Sequence, residues 1–221
     1  MRKFQFIPGE FYHLYNRGTE KRRIFMSLAD YNRFMTLLYV ANQENSVDLK
    51  LQGRTLDELK KLNKFKKEKP LVEIVTYCLM PNHFHLLIHE IEEGGISKFM
   101  QKILTGYTMY FNKKNNRSGS LFQGKFKATH VADDNYLKYL VSYIHLNPVK
   151  LIDPKWKEFG IKNKKAAEEY LKTYKHSSYQ DYLGWKRVEG MIINPSALPV
   201  DFSEGGGFKM FVTEWLNYNA E

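Results

Sequence analysis

The chain carries one cysteine, Cys78, in 221 residues. An intrachain disulfide and a zinc site built on clustered thiolates are therefore excluded, and a reducing compartment is the natural setting. Acidic residues are also in deficit. Against 34 Lys and Arg stand 24 Asp and Glu, a formal charge of +10 that suits a polyanionic partner such as nucleic acid. No uninterrupted apolar run reaches the roughly 18 residues of a membrane span, and the basic N-terminal segment lacks a signal-peptide core. A cytoplasmic protein with no membrane partner is expected. Internal repeats and a helicase-like P-loop are absent from the sequence. What is abundant is apolar and aromatic: 43% hydrophobic and 15% aromatic residues are enough for a substantial core.

Residues 10–18, "EFYHLYNRG", alternate and stop at Gly18, which predicts a strand and a turn. Residues 27–43 follow at helical spacing, with Ser27 or Asp30 as start signals. Residues 44–70 are polar and lysine-rich and predict a short charged helix and linker. "LVEIVTYCLM" and "HFHLLIHE" flank the turn-forming pair Pro81-Asn82 and predict an antiparallel hairpin. A second core helix is expected over 94–116, a fourth strand over 124–132, and a further helix from 133 that breaks near Pro148. The order β-α-β-β-α-β followed by a helix is that of a ferredoxin-like split βαβ, an α+β fold. Its four-stranded antiparallel sheet carries helices on one face, plus the extra helix. Residues 1–152 would form this domain with 44–70 as a polar insertion, and 153–221 a C-terminal extension packing on or flanking it. Within the extension, "SEGGGF" predicts a flexible stretch.

Side chains two apart on a strand point to the same face, so His83 and His85 lie side by side, where two imidazoles can bind one divalent ion. Such a pair also arises by chance and gains weight only with further donors. In "YLKYLVSYIHLNP", Tyr143 and Asn147 are one helical turn apart. A carboxamide oxygen suits Mg²⁺ or Mn²⁺, and a tyrosine beside it could attack a phosphodiester that the metal polarises. Tyr136 and Tyr139 share that side of the helix, so a stripe of core tyrosines is the competing explanation. Arg17, Lys113, Lys114, Arg117, Lys125 and Lys127 are candidates to neutralise nucleic-acid phosphates, and Tyr12, Phe122 and Phe126 to stack on unpaired bases. His13 could approach the site from the first strand; His89 is read as structural, and His145 is not assigned to the metal.

"MPNHFHLL" and "YIHLNPVK" resemble the two signatures of the HUH single-tyrosine transposases, especially their REP-associated branch. "YHLYNRG", "RSGSLFQGKFKA" and "HSSYQDYLG" extend the resemblance over roughly residues 8–185, in the family's order. The resemblance implies an RRM-like catalytic domain in which paired strand histidines bind Mg²⁺ or Mn²⁺. A helix tyrosine then attacks single-stranded or hairpin DNA, giving a 5′-phosphotyrosine link and a free 3′-hydroxyl. Carried onto this chain, it makes His83, His85 and Asn147 the metal ligands and Tyr143 the nucleophile of a DNA nickase and strand transferase. A nucleoid-associated location follows, and either a homodimer or a single chain as the working unit. The insertion 44–70 and residues 186–221 depart from the compact pattern. Two other classes stay open. A noncatalytic RRM-like module would need aromatic RNP motifs that "GKFKATHVA" does not match. A metal-dependent hydrolytic nuclease would activate water instead of tyrosine.

Overall fold

In a computed structural model of the chain, residues 5–45, 55–62, 69–199, 202 and 207–217 are described. Much of the predicted polar insertion (46–54 and 63–68), residues 203–206 of "SEGGGF" and residues 200–201 and 218–221 lie outside them.

Four strands, β1 (Phe11–Arg17), β2 (Val72–Met80), β3 (His83–Glu90) and β4 (Lys127–His130), form one sheet in the order β2-β3-β1-β4, with every neighbouring pair antiparallel. This is the split βαβ arrangement. The helices are α1 (Leu28–Val40), α2 (Leu56–Leu62), α3 (Gly95–Lys114), α4 (Asp134–Leu146), α5 (Trp156–Phe159), α6 (Lys164–Thr173), α7 (Tyr179–Tyr182) and α8 (Gly207–Asn217). Among the described residues no helix is long and apolar enough to cross a membrane.

Strand alternation sorts the core into two. Tyr12, Leu14, Phe84, Leu86 and Ile88 join α1 and α3 on one face of the sheet. Cys78, Met80 and Leu87 face the other way, toward α4 and the helices after it. A bulge between Ile74 and Thr76 shifts the parity of β2, so that Val72 and Ile74 before it and Tyr77 and Leu79 after it all reach the α1/α3 core. β2 is therefore buried on both faces, as its nearly continuous apolar run requires. α1 and α3 share one face as expected. The extra helix α4 covers the other face together with Trp156, Leu171, Tyr179, Phe208 and Leu216 from the segments after it, whose contribution the strand order does not announce.

The β2–β3 turn is held from outside. Ile24 and Phe25 N–H donate to Pro81 O at 2.9 and 3.0 Å, and Gly18 N–H donates to Asn82 O at 2.9 Å. These bonds fix the end of β3 at which His83 sits. At the end of α4, Asn147 keeps right-handed helical geometry (φ −52, ψ −39) despite the proline after it, and the chain tightens into a 3-10 turn over Asn147–Leu151. The break expected near Pro148 is thus an ordered turn, in which the Asn147 side-chain amide donates to Tyr143 O at 2.8 Å.

Candidate active site

β1 and β3 pair so that Tyr15 lies opposite His85 and Arg17 opposite His83. Residues directly opposite share a face. That face looks toward α4, whose Tyr143 ring stands 5.8 Å from the His85 ring and 6.2 Å from the His13 ring, near-perpendicular to both. The result is a cleft of about 890 Å³ bounded by β1, the β2–β3 turn, α4 and α5. It holds His83, His85, Tyr143 and Asn147 together, and basic residues line its rim.

Hydrogen bonds set the chemistry of the imidazoles. His83 Nδ1 is 2.6 Å from Asn82 Oδ1, an atom that can only accept. The Nδ1–H therefore donates and the Nε2 lone pair is left for a cation. His85 Nδ1 and His13 Nε2 are 2.9 Å apart and share one proton. Burial, with the charges of Lys157, Lys150 and Arg17, pushes His83 down to about 4. Burial and Lys157 take His13 down to about 4. Burial, His13, His83 and Lys157 hold His85 well below its ordinary value. All three rings are thus neutral at pH 7, the form that ligates metal. Among the described residues no group of three or more His, Cys, Asp or Glu is placed to hold an ion, so among them a third protein donor would be of another type. The carboxamide oxygen of buried Asn147, in the same cleft, is such a donor.

Burial raises the Tyr143 phenol, and the charge of Lys150 opposes that rise. Lys157 on α5 reaches over the Tyr143 ring with Nζ 4.0 Å from its centroid, donates to the Tyr143 hydroxyl at 2.9 Å and lies 3.5 Å from Asn147 Oδ1. Burial, then the Lys150 charge, lowers Lys157 to about 8.

The remaining sequence candidates are dispersed. Arg17 and Lys127 line the cleft. Lys113 and Lys125 are exposed outside its lining. Lys114 instead pairs with Asp30 at 2.6 Å and donates to Ser27 Oγ at 2.8 Å, an intramolecular role at the start of α1. Arg117 donates to Asn112 Oδ1 at 2.7 Å and borders a separate recess with Arg22 and Arg23. Tyr12 and Phe122 are buried in the α1/α3 core at 1% and 5% exposure, so base stacking is closed to them in this conformation. Phe126 is half-buried and stacks on Phe6. His89 pairs with Glu73 at 2.7 Å, and buried His145 bonds to Val141 O and Ser178 Oγ, both 2.8 Å away. Sequence reasoning missed Lys150 and Lys157. It took His13 only as a residue that could approach the site from β1, without finding its partner.

No curated protein matches the chain. A solved structure described as the REP-associated tyrosine transposase bound to a REP hairpin is similar at 14% identity and a TM-score of 0.49, covering 86% of this chain and 88% of that one. Residues 31–147, from α1 through the paired histidines to Asn147, match the family described as "Transposase IS200 like". That match takes in more than half of the 221 residues, and the chain belongs to the IS200-like transposases.

Proposed function

We propose that this transposase-family chain cleaves and rejoins single-stranded or hairpin DNA through a covalent 5′-phosphotyrosine link at Tyr143. Mg²⁺ or Mn²⁺ held by His83, His85 and Asn147 would assist. The observation that carries the reading is the convergence of Tyr143 with both histidines, His85 at 5.8 Å between rings, in one cleft rimmed by Arg17, Lys127 and Lys150. Among the α4 tyrosines, Tyr139 instead stands 5.0 Å from the Trp215 ring. The REP-associated branch is the one the motifs resemble, and such a substrate places the protein at the nucleoid. One chain supplies every group, so a homodimer is not required by this reading.

In the step proposed, Tyr143 Oη attacks the scissile phosphorus, the new O–P bond replaces the P–O3′ bond, the phenolic proton leaves to water, and the freed 3′-oxygen takes up a proton. A divalent ion held by these residues would supply Lewis-acid charge to offset the negative charge that builds on the phosphate oxygens. Lys and Arg at the rim neutralise neighbouring phosphates. Because the phosphotyrosine ester conserves the bond energy, the 3′-hydroxyl of another end can reverse the step without ATP.

The test incubates the protein with labelled hairpin DNA and Mn²⁺ or Mg²⁺ and separates products on denaturing gels. Protein-linked DNA is expected, lost by about 1,000-fold or more in Tyr143→Phe and in His83→Ala/His85→Ala, and kept within about 3-fold in Tyr139→Phe. Cleavage that survives Tyr143→Phe without an adduct would mean a hydrolytic nuclease. Binding without cleavage by the unsubstituted protein would mean a noncatalytic module.

A further inference from the structure

We propose that Lys157 is a second catalytic residue, whose ammonium holds the Tyr143 phenolic oxygen and stabilises the negative charge that grows there during DNA cleavage. The inference rests on the reading of Tyr143 as the nucleophile.

Lys157 belongs to a short helix that is firmly anchored. Its neighbour Trp156 is buried in the second core, and the backbone closes through Trp156 N–H to Asp153 O at 3.3 Å and Phe159 N–H to Lys155 O at 3.2 Å. From this anchor the lysine stem crosses the Tyr143 ring and delivers Nζ to the hydroxyl at 2.9 Å. Among the described residues no carboxylate pairs with Lys157, and its two acceptors, Tyr143 Oη and Asn147 Oδ1, are neutral. Lys157 is exposed, and its ammonium meets water and neutral oxygens with Lys150 as a like charge in the same cleft, so no protein anion among the described residues matches its charge.

That imbalance has a direction. Among the described residues no anionic group faces the ammonium in the resting site, but the phenolic oxygen becomes negative as its proton departs and the O–P bond forms. An interaction that strengthens only as charge develops lowers the barrier without tightening ground-state binding. The proton accounting is unchanged: the phenolic proton goes to water in the cleft, the 3′-oxygen takes one from water, and Lys157 keeps its own throughout.

The chain's cysteine usage allows a direct test. Cys78 is the single native cysteine and is fully buried, so a cysteine placed at position 157 can be modified selectively. Single-turnover adduct formation at saturating hairpin DNA, and the DNA dissociation constant, would be measured for Lys157→Met and for Lys157→Cys before and after reaction with 2-bromoethylamine or iodoacetamide. Lys157→Met and unmodified Lys157→Cys are expected to slow adduct formation by about 100-fold with DNA affinity within about 3-fold. Aminoethylation, which restores an ammonium of nearly the same length, should bring the rate back to within about 10-fold of the unsubstituted protein, and the neutral carbamidomethyl form should stay slow. Two outcomes overturn the inference alone while the unsubstituted protein still forms its Tyr143 adduct: a Lys157→Met rate within about 3-fold, or equal rates for the two modified cysteine forms. Absence of any Tyr143-dependent adduct in the unsubstituted protein overturns the parent reading, and this inference with it.

Discussion

His13 and His85 share one proton across 2.9 Å, and its position decides what His85 can do. If His13 donates, a neutral His85 carries its own proton on Nε2 and has no lone pair to offer a metal. If His85 donates through Nδ1, its Nε2 is free. Under the proposed reading, metal binding at His83 and His85 would select His13 as the acceptor and make it the residue that orients His85. His13→Phe is expected to weaken Mn²⁺ binding by about 10- to 100-fold, with His13→Gln recovering part of the loss because an amide oxygen can accept the same proton. Titration calorimetry without DNA reads this directly, and an unchanged affinity in His13→Phe would remove His13 from the site. The strand period makes His83 and His85 legible as a pair from sequence. His13 is legible only as far as its face, since its partner depends on the β1–β3 register, a long-range fact. Lys157 gives no local signal, because its position comes from the path of the chain after Pro154 and from the burial of Trp156.

At the scale of elements, α1 begins where its sequence signals place it, but one of those signals does more than start a helix. The Asp30 carboxylate accepts from Met26 N–H at 2.8 Å, Ser27 N–H at 2.9 Å, the Tyr110 hydroxyl at 2.9 Å and Lys114 at 2.6 Å, so it ties the loop after β1 to α3. Burial alone would raise this carboxyl. The bonds from Lys114, Met26 and Tyr110 outweigh it and hold the group below the usual carboxylate range. A depressed carboxyl stabilises the fold fully above its unfolded value, and the contribution is lost as pH falls through the folded one. Asp30→Ala should cost about 3 kcal/mol in urea unfolding at pH 7, and the gap to the unsubstituted protein should narrow as pH falls below about 4. A gap independent of pH would mean that the carboxylate's charge contributes nothing. The helix start was legible because caps are local in sequence; the convergence on Asp30 was not, because Tyr110 and Lys114 arrive from a helix some 80 residues later.

For the whole molecule, the decisive contacts lie along the outer edge of β2. An unpaired edge strand invites association, yet here the chain returns to cover it. Leu79 N–H donates to His176 O at 2.9 Å, Ser178 N–H to Tyr77 O at 3.0 Å and Asn194 N–H to Ile74 O at 2.8 Å, while the Tyr174 and Tyr182 hydroxyls donate to Leu79 O and Val75 O. Arg187 locks the return by bonding to Asp181, the Tyr77 hydroxyl and the carbonyls of Lys175 and Ser177. A division of the chain near residue 152, natural from sequence because the strand and helix signals weaken there, would therefore cut through one core and one sheet edge. The probes to test this are built in. All three tryptophans, Trp156, Trp185 and Trp215, lie in the later part, and the single thiol, Cys78, is buried in β2. Tryptophan fluorescence and Cys78 labelling should report the same urea midpoint, and Arg187→Ala should lower both together by about 3 to 5 kcal/mol, since it strands Asp181 inside. A fluorescence transition that precedes Cys78 exposure would make residues 153–221 a separately folding appendage. Coincidence would mean that the arm carrying Lys157 cannot detach from the sheet carrying His83 and His85 without unfolding both, so Tyr143 and the ammonium beside it are held by one cooperative unit.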